Sequence, residues 1–380
     1  MTEYSITKMK QDNPSFVLHG IQDVKFENRP IPDLVDDQVL VQVEKTGICG
    51  SDVHYLLHGK IGTFVLDKPM CLGHESSGVI VKLGPKADKV GKVKVGDRVA
   101  LEPGQVCRVC EVCKVGLYEL CPNMVFAATP PYTFGTLARY YALPADMCHP
   151  LPPTVSFEQG AMMEPLSVAC HAVSTLGQCR SDQSVVVYGA GPVGLLSMAV
   201  AKALGARRVV AVDIAEKRLE FAKKTFATDT FLPPAKEPNE LPDKYYARVT
   251  ETIKSQLQIP YMGDGSIDLV IEASGADACV GMGLHILKPS GTFVQVGMSP
   301  SDTSAVPMFQ IIAKQLRVLG SFRYGAHDYP LAISLVARGL IDLSELVTQR
   351  YEFEDAKKAF ETTRAGKDPE GNVGFLFLFF

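Results

Sequence analysis

The chain has 380 residues, more than a single hydrophobic core usually serves, so two domains are expected. Apolar residues make up 46% and charged residues 21%, as in globular proteins, and the net charge of −4 argues against a surface that binds nucleic acid or an anionic membrane. The N-terminus has no apolar leader and the sequence has no run of about 18 apolar residues, so a cytoplasmic protein is predicted. In that reducing compartment, the clustered members of its ten cysteines are expected to bind metal.

Short runs rich in β-branched residues, broken by glycine and proline, fill roughly the first 160 residues. Examples are DQVLVQVEKTG at 37–47, SGVIVKLG at 77–84 and KVGDRVALEPG at 94–104. Such runs predict the strands of an irregular, mainly antiparallel β domain.

A set of candidate metal ligands is spread along this region: Cys49 in KTGICGSDVHYLLHG, His74 and Glu75 in CLGHESSG, and Glu164 in GAMMEPLSV. A thiolate, an imidazole and a carboxylate satisfy the ligand preferences of zinc, and three protein ligands leave one position open for water or substrate. Taken alone, Cys49 would more often be a small buried apolar residue, so the prediction of a catalytic zinc rests on the set.

Four further cysteines, Cys107, Cys110, Cys113 and Cys121, have the spacing C-x2-C-x2-C-x7-C. Four thiolates match a closed tetrahedral zinc site, which would be structural because no coordination position remains open. The rival is an iron–sulfur cluster, since C-x2-C-x2-C is also ferredoxin spacing and Pro122 follows the fourth cysteine. The gap of seven residues before Cys121 departs from the usual three and favours zinc.

The pattern changes near Glu164, where helical segments begin to alternate with short apolar strands. The predicted strands are SVVVYG at 184–189, RRVVAVD at 207–213, SIDLVIEAS at 266–274 and GTFVQVG at 291–297. This alternation predicts βαβ units and a doubly wound parallel sheet. The proline-rich segment 231–243 predicts a loop, and the segments 245–257 and 352–363 predict helices.

A glycine motif, G-x-G-x-x-G, links the first of these strands to an apolar helix through Gly189, Gly191 and Gly194. In that context the motif predicts a dinucleotide site, with the pyrophosphate at the N-terminus of the helix. The next strand ends in Asp213, whose carboxylate can bind a ribose diol and would repel a 2′-phosphate, so NAD is predicted rather than NADP.

Together these motifs resemble those of the zinc-dependent medium-chain polyol dehydrogenases, which include sorbitol, L-arabinitol and xylitol dehydrogenases. The resemblance runs from Pro14 to Gly366 through TGICGSDVH, GHESSG, the four-cysteine lobe, EPLSV, GAGPVG and SFRYG. Segments such as KPMCLGHES and FAATPP are most similar to the fungal xylitol dehydrogenases. The resemblance implies an α/β fold with a GroES-like β catalytic domain at 1–163, a Rossmann domain at 164–305 and a C-terminal return to the catalytic domain at 306–380.

The resemblance also implies roles for individual residues. Cys49 and His74 match ligands of the catalytic zinc, while Glu75 and Glu164 match two acids, of which one binds the zinc directly and the other acts through water. Which acid plays which part stays open.

Further matches are to a proton relay, a substrate pocket and a cofactor site. The relay positions are Ser51 and His54. The substrate-pocket positions are Tyr55, Phe126, Thr129, Glu164, Arg323 and Tyr324. The cofactor positions, besides the motif glycines, are Val193, Asp213, Arg218, Val296, Gly297, Met298, Ser321, Phe322 and Arg323.

The function expected from the resemblance is oxidation of a polyol to a ketose, with one catalytic and one structural zinc, NAD as hydride acceptor and a homotetrameric assembly. The substrate expected is xylitol, with sorbitol or L-arabinitol as the alternative. A non-catalytic NAD-binding protein and an iron–sulfur electron carrier are the rivals from other classes. The terminal sequence VGFLFLFF is more apolar than is usual in the family, which leaves open a buried final strand, an interface segment or a sequence error.

Overall fold

The computed structural model describes residues 9–299, 303–366 and 375–379, and in the last segment only the side chain of Leu378. The described residues up to Glu164 and from Gly325 onward form one compact unit, and those from Pro165 to Tyr324 form a second. We refer to them as the catalytic unit and the dinucleotide unit.

The N-terminal part of the chain is built mainly of short strands, as predicted. Its strands are β1 (Pro14–Gly20), β2 (Asp23–Asn28), β3 (Gln38–Gly47), β4 (Lys60–Ile61), β5 (Phe64–Val65), β6 (Met70–Cys71), β7 (Glu75–Leu83), β8 (Arg98–Leu101), β9 (Gly104–Gln105), β10 (Val125–Phe126), β11 (Tyr140–Pro144) and β12 (Cys148–Pro150). Its helices are α1 (Gly50–His58), α2 (Ala87–Val90), α3 (Glu111–Lys114), α4 (Phe157–Ala161) and α5 (Met163–Cys170).

The second unit is an alternation of strands and helices. Its strands are β13 (Ser184–Tyr188), β14 (Arg208–Val212), β15 (Asp229–Phe231), β16 (Ile267–Glu272), β17 (Leu287–Gln295) and β18 (Arg317–Gly320). Its helices are α6 (Pro192–Ala203), α7 (Glu216–Thr225), α8 (Pro242–Leu257), α9 (Asp277–Ile286) and α10 (Met308–Lys314). The chain then returns to the catalytic unit through α11 (Asp328–Ala337), β19 (Val347–Glu352), α12 (Ala356–Ala365) and β20 (Phe375–Phe379).

The central strand of the catalytic unit is β3, whose sequence alternates so that both faces of the sheet are covered. Val39, Val41 and Val43 enter one apolar cluster, and Leu40 enters another on the opposite face. The sheet has the order β12-β8-β7-β3-β20-β19, and β11 also pairs with β3. The pairing of β3 with β7 is antiparallel and brings the end of β3 beside the start of β7.

The apolar C-terminus forms an interior strand of this sheet. β20 pairs antiparallel with β3 and parallel with β19, and the side chain of Leu378 is fully buried. The structure thus forms a buried final strand here, which is one of the three interpretations left open by the sequence.

The dinucleotide unit contains a six-stranded parallel sheet with the order β15-β14-β13-β16-β17-β18. In chain order this is 3-2-1-4-5-6, the order of the doubly wound dinucleotide-binding fold, so the predicted fold class is confirmed. The predicted loop at 231–243 is shortened at both ends. β15 extends to Phe231, and α8 begins at Pro242, where proline is suited to the first helical position.

The return to the catalytic unit begins at Gly325, whereas the sequence analysis placed it at residue 306. The segment between them contains β18, which continues the parallel sheet by pairing with β17, so it packs with the dinucleotide unit. In the described part of the chain, no helix combines the length and apolar character needed to cross a bilayer.

Candidate metal and dinucleotide sites

Three of the predicted zinc ligands come together where β3 and β7 pair. Cys49 lies just after β3, at the N-terminal cap of α1, and Glu75 begins β7 directly opposite Gly47. The thiol sulfur of Cys49, a ring nitrogen of His74 and a carboxylate oxygen of Glu75 lie within 4.8 Å of one another. Since His74 and Glu75 are buried, this set could hold a metal ion largely shielded from water.

Glycines leave the space that these side chains occupy. A Cβ atom at position 47 would overlap the Oε2 atom of Glu75. Gly73, just before His74, has a φ of +87°, and a Cβ there would lie 2.8 Å from the backbone nitrogen of Leu137. Gly47 and Gly73 are therefore required by the local packing.

Asp52 is a functional candidate that the sequence analysis missed. Its carboxylate is 1% exposed and accepts hydrogen bonds from the backbone N–H of Cys49 (3.3 Å) and of Gly73 (2.9 Å). It also lies 3.5 Å from Nδ1 of His74. A carboxylate in this position orients a histidine so that Nε2 faces the metal. The sequence did not reveal this role, because an aspartate in the first turn of a helix is also a common capping residue.

The groups of this set crowd acidic side chains into a space with little water. Burial, followed by the negative charge of Glu164, raises the pKa of Glu75 to about 8. Burial, followed by Glu75, raises the pKa of the Cys49 thiol. Burial disfavours a charge on His74, but Asp52 and Cys49 outweigh it and raise the pKa of His74 well above its usual value. A divalent cation would offset these crowded negative charges, and the donor atoms are those that zinc prefers.

Glu164 lies near this set but outside it. It is 6% exposed and close enough to Glu75 to raise the pKa of that carboxyl, yet it is not among the three residues whose donor atoms are within 4.8 Å. The geometry therefore favours Glu75 as the acid that binds the metal directly.

The other predicted residues of the catalytic unit occupy different environments. The ring of Phe126 is buried, with its centroid 5.9 Å from that of His74. Tyr55 is buried on α1, and Thr129 is partly buried, with its hydroxyl donating to the carbonyl of Ala127 (3.4 Å).

The two predicted relay residues lie on α1. Ser51 is partly buried, whereas His54 is exposed and its ring contacts that of His58. Partial burial, and then the positive charge of His58, lower the pKa of His54.

The four cysteines of the lobe form a compact cage. The sulfur of Cys107 is 4.0 Å from that of Cys113, and the sulfur of Cys110 is 3.9 Å from that of Cys121. Zinc–sulfur bonds of about 2.3 Å place the sulfurs of a tetrahedral site about 3.8 Å apart, so the cage fits one zinc ion. A cluster of several iron and sulfide atoms would need a wider cage.

Hydrogen bonds favour the thiolate of Cys107 and tie the lobe to other segments of the catalytic unit. The backbone N–H groups of Val109 and Cys110 lower the pKa of Cys107 to about 6. The guanidinium of Arg108 bonds to the carboxylates of Asp37 and Asp146, both at 2.6 Å. These two ion pairs anchor the lobe to the segments that carry Asp37 and Asp146.

The glycine motif forms a tight turn between β13 and α6. Gly189 has a φ of +92°, which favours glycine, and a Cβ at position 194 would overlap the carbonyl oxygen of Gly189. A Cβ at Gly191, in contrast, would meet no atom within 4 Å. Gly191 thus leaves open space at the N-terminus of α6, where the phosphates of a dinucleotide would bind. The partly buried Val193 follows in the first turn of that helix.

Asp213 lies beside this turn, at the end of β14. Its carboxylate accepts hydrogen bonds from the backbone N–H groups of Ala190 (2.7 Å) and Ala215 (2.8 Å). The guanidinium of Arg218 is 3.9 Å from the carboxylate, and Asp213 is only 8% exposed. The acid is therefore held rigidly next to the glycine turn.

Glu272 is a second carboxylate that the sequence analysis missed. It is fully buried at the end of β16 and accepts hydrogen bonds from the backbone N–H groups of Ser274 (2.8 Å) and Gly275 (3.0 Å) and from the side chain of Gln295 (2.6 Å). A Cβ at Gly297 would lie 2.7 Å from its Oε2 atom. Glu272 thereby ties together the segments that follow β16 and β17.

The remaining predicted cofactor residues follow the carboxyl ends of β17 and β18, and ligands of parallel α/β sheets bind beyond the carboxyl ends of the strands. The N–H groups of Val296 and Gly297 donate to the carbonyl of Glu272, and Met298 is exposed. The N–H of Ser321 donates to the carbonyl of Gln295.

The residues after Ser321 complete this edge. The exposed ring of Phe322 lies under the guanidinium of Arg323, and Tyr324 is buried.

Comparison with known proteins agrees with this architecture. The family model "Alcohol dehydrogenase GroES-like domain" matches residues 35–153, and "Zinc-binding dehydrogenase" matches residues 192–338. D-xylulose reductase A of Aspergillus niger is 53% identical over 356 residues, which are 93% of this chain and 94% of that protein.

Solved structures with similar folds include L-idonate 5-dehydrogenase from Escherichia coli, with a TM-score of 0.82, 28% identity and coverage of 97% of this chain and 98% of that one. Another is a short chain alcohol dehydrogenase from E. coli CFT073 in complex with NADH, with a TM-score of 0.83, 25% identity and coverage of 98% and 100%.

The position of Asp52 predicts that Asp52→Asn weakens metal binding at the Cys49 set. The amide keeps the shape but loses the charge that orients His74, and loss of such a partner costs about 10–100-fold in metal affinity. Competition with a chromophoric chelator would measure the zinc affinity of each variant. The control is Asp23→Asn, which changes an exposed aspartate. Equal zinc retention in both variants would contradict the role.

The raised pKa values of Glu75 and Cys49 predict that zinc binding releases protons. Without a metal, the pKa of Glu75 is about 8, so its carboxyl group stays protonated at pH values between the usual pKa of a glutamate and about 8. Zinc must displace this proton, so the affinity for zinc should rise with pH in that interval. Calorimetry in buffers of different ionisation enthalpy counts these protons. Glu75→Gln should release about one proton fewer than the wild type when it binds zinc. An identical number of protons would refute the assignment of Glu75 as a zinc ligand.

Proposed function

We propose that this chain, which belongs to the zinc-binding alcohol dehydrogenase family, oxidises xylitol to D-xylulose with NAD as the hydride acceptor. The observation that carries the proposal is the set formed by the partly buried Cys49 and the buried His74 and Glu75, in a chain that is 53% identical over nearly its whole length to a D-xylulose reductase. A non-catalytic NAD-binding protein would have no need to maintain such a set.

The residues of the catalytic unit prepare a hydroxyl for oxidation. Cys49, His74 and Glu75 would hold the zinc ion and leave one position for the substrate oxygen, while Asp52 holds His74 in place. When bound, zinc supplies a Lewis acid that lowers the pKa of a hydroxyl group. Glu164 stays next to the set and can accept a hydrogen bond from water or substrate.

A proton must leave when the alcohol is oxidised. Ser51 and His54 lie on the helix that Cys49 caps, and His54 is exposed, so its imidazole can deliver a proton to water. We assign the relay to these two side chains.

Polar groups would recognise the additional hydroxyls of a polyol. Thr129, Arg323 and Tyr324 are the donors we assign to them, with Tyr55 and Phe126 as apolar walls. A site that hydrogen-bonds several hydroxyls discriminates against simple alcohols, because they would leave its polar groups unpaired.

The dinucleotide unit would bind NAD through groups that the structure positions in advance. The open space at Gly191 and the N-terminus of α6 accommodate the phosphates, and Asp213 accepts hydrogen bonds from the ribose diol. The nicotinamide supplies the hydride-accepting chemistry. Val296 to Met298 and Ser321 to Arg323 would border the cofactor.

The proposal includes a second, structural zinc ion bound by Cys107, Cys110, Cys113 and Cys121, whose sulfur spacing fits one ion. We further propose a cytoplasmic homotetramer, as in the polyol dehydrogenases that the chain resembles.

A substrate panel tests the proposed activity. NADH formation at 340 nm would be followed with xylitol, sorbitol and L-arabinitol, each with NAD and NADP, and xylitol with NAD is expected to give the highest kcat/KM. Arg323→Ala should lower kcat/KM for xylitol by about tenfold or more and change the Kd of NAD much less. A higher kcat/KM for sorbitol than for xylitol would contradict xylitol as the substrate. An equal fold-loss in kcat/KM for xylitol and in affinity for NAD would refute the role of Arg323.

The cofactor preference is tested at Asp213. Asp213→Asn removes the negative charge that opposes a 2′-phosphate, while Arg218 stays nearby as a cation, so the ratio of kcat/KM for NAD over NADP should fall by about tenfold or more. Thermal unfolding checks that the glycine turn, which Asp213 also supports, stays folded. An unchanged ratio in a folded variant would show that Asp213 does not select NAD.

A further inference from the structure

The inference concerns two histidines on α1. His54 and His58 are four residues apart, about one helical turn, so their side chains leave the same face of the helix. That face points to solvent, since both histidines are exposed while Asp52, Val53 and Tyr55 are the buried residues of the helix. The ring centroids are 4.6 Å apart, with the ring planes inclined at 53°.

This separation matches two imidazoles that bind one metal ion. With bonds of about 2.0–2.1 Å from the ion to each nitrogen, each ring centroid lies about 3.2 Å from the ion. Two such bonds at an angle of about 90–110° place the centroids about 4.5–5.2 Å apart. The observed centroid distance lies within this range, so the spacing of the two rings is compatible with chelation of one ion.

The helix that carries both rings is well fixed. Its start is held by the hydrogen bond from Cys49 to Asp52, and its end by the N–H of Gly59, which donates to the carbonyl of Tyr55 (2.8 Å). The N–H of Gln22 also donates to the carbonyl of Leu56 (2.8 Å). A pair on a rigid helix loses little conformational entropy when it binds a ligand.

We propose that His54 and His58 bind a first-row divalent cation, such as Ni²⁺ or Zn²⁺, and that a cation bound there inhibits turnover. Imidazole is a favoured ligand of these ions, and the affinity of nitrogen donors rises towards nickel and copper. In the described part of the chain, the sets of three or more metal-ligating side chains contain neither histidine, so water completes the coordination.

Inhibition follows because the ion takes the nitrogen lone pair of His54 that would otherwise carry the proton to solvent. This second half of the proposal rests on the proposed function, in which His54 is part of the proton relay. The first half, binding of the ion, does not depend on any catalytic role.

The test uses the zinc-loaded protein, titrated with NiCl₂ in a calorimeter and assayed for polyol oxidation in parallel. The wild type should bind Ni²⁺ at this site, and His58→Gln should bind it about tenfold or more weakly. The matched control is His327→Asn, which replaces another exposed histidine at a left-handed position (φ 76°) that asparagine tolerates. It should bind Ni²⁺ as the wild type does.

Turnover separates the two halves. Added Ni²⁺ should inhibit the wild type and His327→Asn, and His58→Gln should resist it while keeping its activity without nickel. Equal nickel affinity in the wild type and His58→Gln would overturn the site. Weaker binding with unchanged inhibition would overturn the inhibitory role. If no variant oxidised a polyol in the absence of nickel, the proposed function would be refuted. The nickel affinities measured by calorimetry would still test the metal site in that case.

Discussion

The pairing of β3 with β7 is the constraint on which the metal site depends. Its register sets Glu75 opposite Gly47, and the chain then continues from β3 to Cys49, so residues 26 positions apart in sequence come within bonding distance of one ion. A slip of one residue would turn Glu75 to the opposite face of the sheet. The lack of a side chain at Gly47 is part of the same constraint, because that space is filled by the carboxylate of Glu75.

Each unit uses a buried carboxylate to organise the backbone around its site. Asp52 accepts N–H groups from Cys49 and Gly73, and Glu272 accepts them from Ser274 and Gly275. Burying a charge is costly unless hydrogen bonds compensate it, so each carboxylate fixes the segments that supply its donors. Ligand-binding loops are thus held in shape by residues that need not touch the ligand.

Local patterns in the sequence were sufficient to predict much of this structure. The glycine turn before α6, the strands of the parallel sheet and the thiol cage each involve residues close together in the chain, and the structure forms them where predicted. The missed features depend on distant segments. The contact of Asp52 with Gly73, the position of β20 beside β3 and the extension of the second unit to Tyr324 arise only when those segments pair.

The central claim is that the Cys49 set binds a zinc ion that turnover requires, and zinc content together with turnover in Cys49→Ser tests it most directly. The account predicts that the wild type contains about two zinc ions per chain, and that the variant stays folded, keeps about one zinc ion, held by the thiol cage, and oxidises no polyol. A folded Cys49→Ser protein that retains two zinc ions and full turnover would contradict it.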